Sequence, residues 1–222
     1  MSELMRFASP VKGPQGLAWD GASMWVTSAA NGRVYALEPQ SWTIRREFVP
    51  PFEALGITYT GADFRVILAP AIEEQDLELD HRYVYSFSPD AGFAESFVCP
   101  DNSGSFLAHA NGTLYLSQAW DKKLIELDER GAAVREVQLD RRPVGMTIVD
   151  GAFYLVTVDE EWDDGRFQRL GIGDAAASIE TLRALPFKPR SVAFDGRQFW
   201  TADRNGHALV SFTLPRVASR QG

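Results

Sequence analysis

The stretch GPQGLAWDGASMWVTSAANGRVYAL runs from Gly13 to Leu37, and KPRSVAFDGRQFWTADRNGHALVSF runs from Lys188 to Phe212. Both follow one rhythm: a turn residue, a short apolar run, Asp-Gly, an aromatic-rich run, Asn-Gly and a further apolar run. β-Branched and aromatic residues bounded by Gly, Asn, Asp and Pro read as short strands joined by tight turns. The first part of the unit recurs three more times, as GITYTGADFRVIL, FLAHANGTLYLSQ and GMTIVDGAFYLVT. The turn glycines are Gly21, Gly61, Gly112, Gly151 and Gly196, spaced by 40, 51, 39 and 45 residues.

Five copies at that period predict one all-β domain over residues 1–222, a five-bladed β-propeller with four antiparallel strands per blade. In the first copy GLAW is the inner strand, SMWVTS the second, GRVYAL the third and IRREFV the outer one. No stretch of ten or more residues has helical periodicity. A β-sandwich would also have many short strands, but it needs no repeat near 45 residues. The fifth copy ends in HALVSFTLP and a polar tail, so it lacks an outer strand. The opening residues ELMRFASP stand before the first inner strand, as IRREFVPP and VREVQLDR stand before the second and fourth. Residues near Glu3 to Ala8 are therefore expected to pair with the third strand of the last blade, around Leu209 to Leu214. Such a closed ring leaves no blade face open.

The 222 residues carry a net charge of −8. That balance disfavours nucleic acid and anionic membranes as partners, since both reward a basic face. The one cysteine, Cys99, rules out an intrachain disulfide. The opening MSELMRFASPVKG lacks the basic-then-apolar order of a secretory leader. No apolar run approaches the roughly 18 residues of a membrane span. A cytoplasmic protein is the expectation.

In this connectivity, two sets of loops reach the same mouth of the central channel. Outer-to-inner connections give GPQG, EALG, NSGS, RPVG and KPRS, which place Gln15, Leu55, Val144 and Arg190 near the mouth. Second-to-third-strand connections include APAIEEQDLELDHR, QAWDKK, VDEEWDDGR and ADRNGH. They hold Glu73, Glu74, Asp76, Glu78 and Asp80 on the second blade and Asp159, Glu160, Glu161, Asp163 and Asp164 on the fourth, with Trp120 and Trp162 nearby. Carboxylates beside indoles suit a cationic ligand, or a divalent ion such as calcium held by oxygens; a solvated rim is the plain alternative. The spacing of DEEWDDG does not fit an EF-hand, because Gly165 falls one place late. The expected contacts are Gln15, Gln118 and Arg190 for polar groups and Trp120 and Trp162 for stacking, with Asp159 and Asp203 for proton transfer. The function read from these residues is small-molecule binding at the mouth, with lyase, cyclase or hydrolase chemistry open; a non-catalytic module that presents its rim to a protein is the alternative. Trp25, Tyr115, Tyr154 and Trp200 occupy one repeated position and are expected between blades.

The five copies, with PQGLAWDG near the start, resemble the bacterial and plant glutaminyl cyclases, five-bladed propellers that convert N-terminal glutamine to pyroglutamate. The DG…WV…NGRVYAL pattern is also similar to streptogramin lyases. The resemblance implies a propeller scaffold and a site at the mouth, with Gln15 as the matching position. Val26 and Leu55 stand where the cyclases carry acidic residues, and a cyclase lysine in the last blade has no counterpart in TADRNG. The expectation is a cyclase-like scaffold that does not cyclise glutamine.

Overall fold

A computed structural model describes residues 4–70 and 81–213. Five four-stranded antiparallel sheets form a ring. The first blade holds β2 (Pro14–Trp19), β3 (Met24–Ser28), β4 (Val34–Leu37) and β5 (Ile44–Phe48). The second holds β6 (Glu53–Tyr59), β7 (Phe64–Ala69), β8 (Tyr83–Ser88) and β9 (Gly92–Val98), and the third β10 (Phe106–Ala110), β11 (Thr113–Gln118), β12 (Lys123–Leu127) and β13 (Ala133–Gln138). The fourth holds β14 (Arg142–Val149), β15 (Ala152–Val158), β16 (Gly165–Gly171) and β17 (Glu180–Leu185). The fifth consists of β18 (Pro189–Phe194), β19 (Phe199–Asp203), β20 (Ala208–Phe212) and, from the other end of the chain, β1 (Met5–Ala8). Inner strands β2, β6, β10, β14 and β18 pack each against the next, and β18 packs back on β2. Among the described residues no helix is long and apolar enough to cross a membrane.

The repeat is visible in the backbone. All five turn glycines adopt positive φ, from 72° at Gly151 to 99° at Gly21. A side chain there would be strained, which is why each copy places glycine between its first two strands. Trp25, Tyr115, Tyr154 and Trp200 sit opposite Ala18, Ala108, Thr147 and Ala193 on their inner strands, at one equivalent register. In the first and fifth blades the turn aspartate anchors that aromatic: Trp25 Nε1 donates to Asp20 and Trp200 Nε1 to Asp195, each at 2.7 Å.

The apolar core lies between blades, not within them. Trp25 packs on Phe64 and Phe87 between the first two blades. Ile67, Val84, Leu107 and Leu116 fill the next gap. Large apolar side chains as enclosed as Phe87 and Leu116 each stabilise by roughly 1.5–3 kcal/mol.

Closure falls where the sequence places it. Met5 pairs with Ser211, Arg6 with Val210, Phe7 with Leu209 and Ala8 with Ala208; Glu3 and Leu214 lie outside the described residues. Phe7 packs on Trp200 and Trp42. Arg6 Nη2 meets Asp203 Oδ2 at 2.5 Å, the Gly13 amide donates to His207 Nδ1, and the Leu17 amide donates to Ser191 Oγ.

Candidate functional site at the channel mouth

The mouth is built by a repeated irregularity of the inner strands. Pairing between inner and second strands slips at Pro14/Leu17, Ala54/Ile57, Pro143/Gly145 and Arg190/Ala193, so four of the five blades carry a bulge at the mouth end. A bulge leaves a residue outside the ladder and re-aims its side chain. The re-aimed residues include Gln15, Leu55 and Val144, and Arg190 stands at the edge of the fifth-blade slip; all four line one cavity of about 360 Å³. Behind them the backbones nearly touch. A Cβ on Gly16 would come within 2.5 Å of the Leu55 carbonyl oxygen, and one on Gly56 within 2.6 Å of Phe106 Cα. The pairs Gln15-Gly16, Leu55-Gly56 and Val144-Gly145 thus place one side chain in the cavity while letting neighbouring strands close a narrow neck. In the fifth blade Ser191 takes the glycine place at φ 55°.

Three guanidiniums share this cavity: Arg82, Arg190 and Arg204. Ser105, Phe106, Ala119, Trp120 and Trp162 complete the lining, and none of the described lining residues is a carboxylate. Arg82 donates to the Gly104 carbonyl at 2.5 Å, and Arg190 donates to the carbonyl of its own neighbour Pro189 at 2.8 Å. Among the described residues no carboxylate forms an ion pair with any of the three. Burial, aided by the like charge of Arg204, pulls the Arg190 pKa down to about 10. The amide oxygen of Gln15 is buried there without a hydrogen-bond partner among the described residues.

The two indoles already carry the chain's own cations. Arg190 lies over Trp162 at 4.6 Å, and Arg142 lies over Trp120 at 4.5 Å and Trp162 at 5.5 Å. The two rings meet edge to face at 5.4 Å. Trp120 remains 61% exposed, so its ring also forms part of the surface.

Four carboxylates of the fourth-blade loop are taken up by their own neighbourhood. Asp159 accepts the amides of Asp163 and Asp164, and these bonds hold its carboxyl below the usual aspartate range. Glu160 pairs with Lys122 and Arg142, which lower its pKa in the same way. Asp163 meets Lys188 at 2.8 Å, and Asp164 bridges Arg166 at 2.7 Å and Arg141 at 3.2 Å. Among the described residues no group of three or more His, Cys, Asp or Glu side chains is placed to hold a metal. The five carboxylates of the second-blade loop lie outside the described residues.

Of the sequence-predicted contacts, Gln15, Trp120, Trp162 and Arg190 come together at the cavity. Gln118 stands apart: its amide nitrogen donates to Pro100 and Ser103 carbonyls and ties down the loop after the second blade. Asp203 is spent on Arg6 and on the Gly206 amide. Asp159 caps its own loop. Sequence reading missed Arg82 and Arg204. Arg82 ends the second-to-third-strand loop of the second blade and Arg204 begins that of the fifth, each directly beside a strand. His207, in the ADRNGH loop, holds the N-terminal segment through the Gly13 amide. His109 lines the opposite end of the channel with Trp19, Tyr59 and Asp150, and burial lowers its pKa.

Fold and site together define a five-bladed propeller with a polar cavity at one channel mouth. No family model matches the chain, and no curated protein matches it in sequence. Solved structures share the fold. Glutaminyl cyclase of Myxococcus xanthus superposes with a TM-score of 0.66 at 14% identity, over 95% of this chain and 94% of that one. Virginiamycin B lyase of Staphylococcus aureus, solved with quinupristin, gives 0.55 at 14% identity, over 96% and 99%. Regucalcin of Agrobacterium tumefaciens, described as a calcium-binding protein, gives 0.57 at 12%, over 93% and 91%.

Proposed function

We propose that this chain is a small-molecule-binding propeller whose ligand seats at the channel mouth, against Gln15, Arg190, Trp120 and Trp162. The observation that carries the reading is the cavity itself. Its volume of about 360 Å³ falls in the range of small-ligand sites, and the buried Gln15 amide oxygen, without a partner among the described residues, belongs to its wall. The scatter of exposed large apolar residues over Met5, Ile44, Val49, Val98 and Val134 gives less support to a protein-docking role.

Binding is better supported than catalysis. Asp159 and Asp203, the residues expected to move protons, are each engaged in holding the chain. The calcium that was one alternative at the acidic rim finds little support in Asp159, Glu160, Asp163 and Asp164, which already have cationic or backbone partners. The test is a thermal-shift and native mass-spectrometry panel of cationic, neutral and anionic metabolites, run on wild type and on Leu55→Trp, which fills the cavity. A compound should stabilise wild type and lose its effect in Leu55→Trp while the variant's circular dichroism is unchanged. Equal stabilisation of both proteins would place binding elsewhere.

A further inference from the structure

The described wall of the mouth cavity carries charge of the opposite sign to that of the chain as a whole. The protein carries eight more acidic than basic residues, yet the described wall of the cavity holds Arg82, Arg190 and Arg204 and no carboxylate. Guanidiniums taken out of water stay charged at any ordinary pH, so their desolvation must be offset by an anion or by hydrogen bonds. Arg142, beside this wall, has a countercharge in Glu160 and two indole faces, although its Nε and Nη1 are buried without a hydrogen-bond partner among the described residues. Arg190 has one indole face and a single carbonyl, that of Pro189, and the charge that acts on it is that of another arginine, Arg204. Gln15 adds a buried acceptor with no donor.

We propose that the mouth binds a small organic anion, a carboxylate or phosphate that also carries a hydroxyl or amine, with the anionic group between Arg190 and Arg204 and the donor on Gln15. The proposal rests on the mouth being a ligand site and adds the ligand's chemistry. Arginine's planar fork matches the paired oxygens of either anion. The neck below, where neighbouring strand backbones crowd Gly16 and Gly56, limits how far such a ligand can enter the channel.

The experiment measures binding by calorimetry and melting temperature at matched ionic strength. Probes are inorganic phosphate, glycerate and glucose 6-phosphate, with glucose, glycerol and spermidine as their neutral and cationic counterparts. Proteins are wild type, Arg190→Leu, Arg204→Gln, Gln15→Leu and Leu55→Trp. Expected are saturable binding of glycerate or the sugar phosphate to wild type and loss of about tenfold or more in either arginine variant. Gln15→Leu should weaken the hydroxylated anions and leave inorganic phosphate unaffected. The ligand-free melting temperature of Arg190→Leu should hold or rise, because a desolvated like charge is removed; a merely structural arginine would give a fall. Anions that act equally on wild type and both arginine variants would overturn the proposal as a general salt effect. If glucose or spermidine binds and Leu55→Trp blocks it while no anion binds, the anion assignment falls and the mouth remains a ligand site. If no probe binds, and neutralising the five carboxylates of residues 71–80 lowers the melting temperature except in the Arg190→Leu background, the countercharge is internal and both readings fall.

Discussion

The fourth-blade rim and the cavity wall beside it handle charge in opposite ways. On the rim, Asp159, Glu160, Asp163 and Asp164 all have partners, drawn from Lys122, Arg141, Arg142, Arg166, Lys188 and backbone amides. On the wall, Arg82, Arg190 and Arg204 share a cavity without a described carboxylate. The contrast shows that a cluster of like charges in a sequence does not tell which charges remain available in the fold. Four of the conspicuous fourth-blade carboxylates are structural, and the inconspicuous arginines line the cavity.

If paired charges hold the ring and unpaired ones do not, the largest loss should come from the closure. Deleting residues 4–8 removes β1, the Arg6 partner of Asp203 and the Phe7 packing. A loss on the order of 4 kcal/mol, or about 10 °C in melting temperature, is expected in a thermal scan. An unchanged melting temperature would mean that β1 pairing adds nothing to the ring. Asp203→Ala comes next. It strips a buried acceptor from Arg6 and from the Gly206 amide, at a cost of about 2 kcal/mol; because Arg6 is itself half exposed, the figure stays below that for a fully buried pair.

A third prediction concerns activity. Val26, at the position where the cyclases carry a glutamate, is 0% exposed and packs in the core between the fifth and first blades. Leu55 does line the mouth, but it carries no proton. Peptides that begin with glutamine should therefore show no cyclisation above the uncatalysed rate, since positioned proton transfer alone supplies about 10²–10⁴ in rate. Robust turnover by the purified protein would show that a carboxylate outside the described wall serves the mouth.

The smallest effect sharpens the contrast by pH. Asp159 and Glu160 titrate below their ordinary values in the folded protein. The unfolded chain therefore binds more protons, and these groups stabilise the fold above about pH 4 and lose that contribution as pH falls through their lowered folded values. Asp159→Asn should flatten the acid limb of melting temperature against pH, with little change at pH 7 to 8 in the slope of that curve. An acid limb identical to wild type would show that the loop's amides do not depend on that carboxylate.

The architecture was legible because it rests on local chemistry repeated five times: a positive-φ glycine in each turn, an aromatic at one register, and β-branched runs between. The mouth positions Gln15, Leu55, Val144 and Arg190 were legible for the same reason, since each begins an inner strand. The bulges that aim them were not, because a slip depends on how a strand meets its neighbour. Charge was the hardest to read. Lys122 with Glu160 and Lys188 with Asp163 join residues from different loops, and only their meeting in space shows which carboxylates are neutralised. Gln118 and Asp203 looked available because their partners, the Pro100 carbonyl and Arg6, come from distant parts of the chain.

The closing strand also sets how the ring responds to tension. β1 and β20 run antiparallel with Met5 beside Ser211, so residues 4 and 213 emerge side by side at one end of the pair. A pull applied between them loads one backbone pair at a time and peels the strand in sequence from Met5 to Ala8, in place of shearing all four together. The ring would open first at its seam under low force, with Arg6 and Asp203 as the latch partway along and the other four blades still whole.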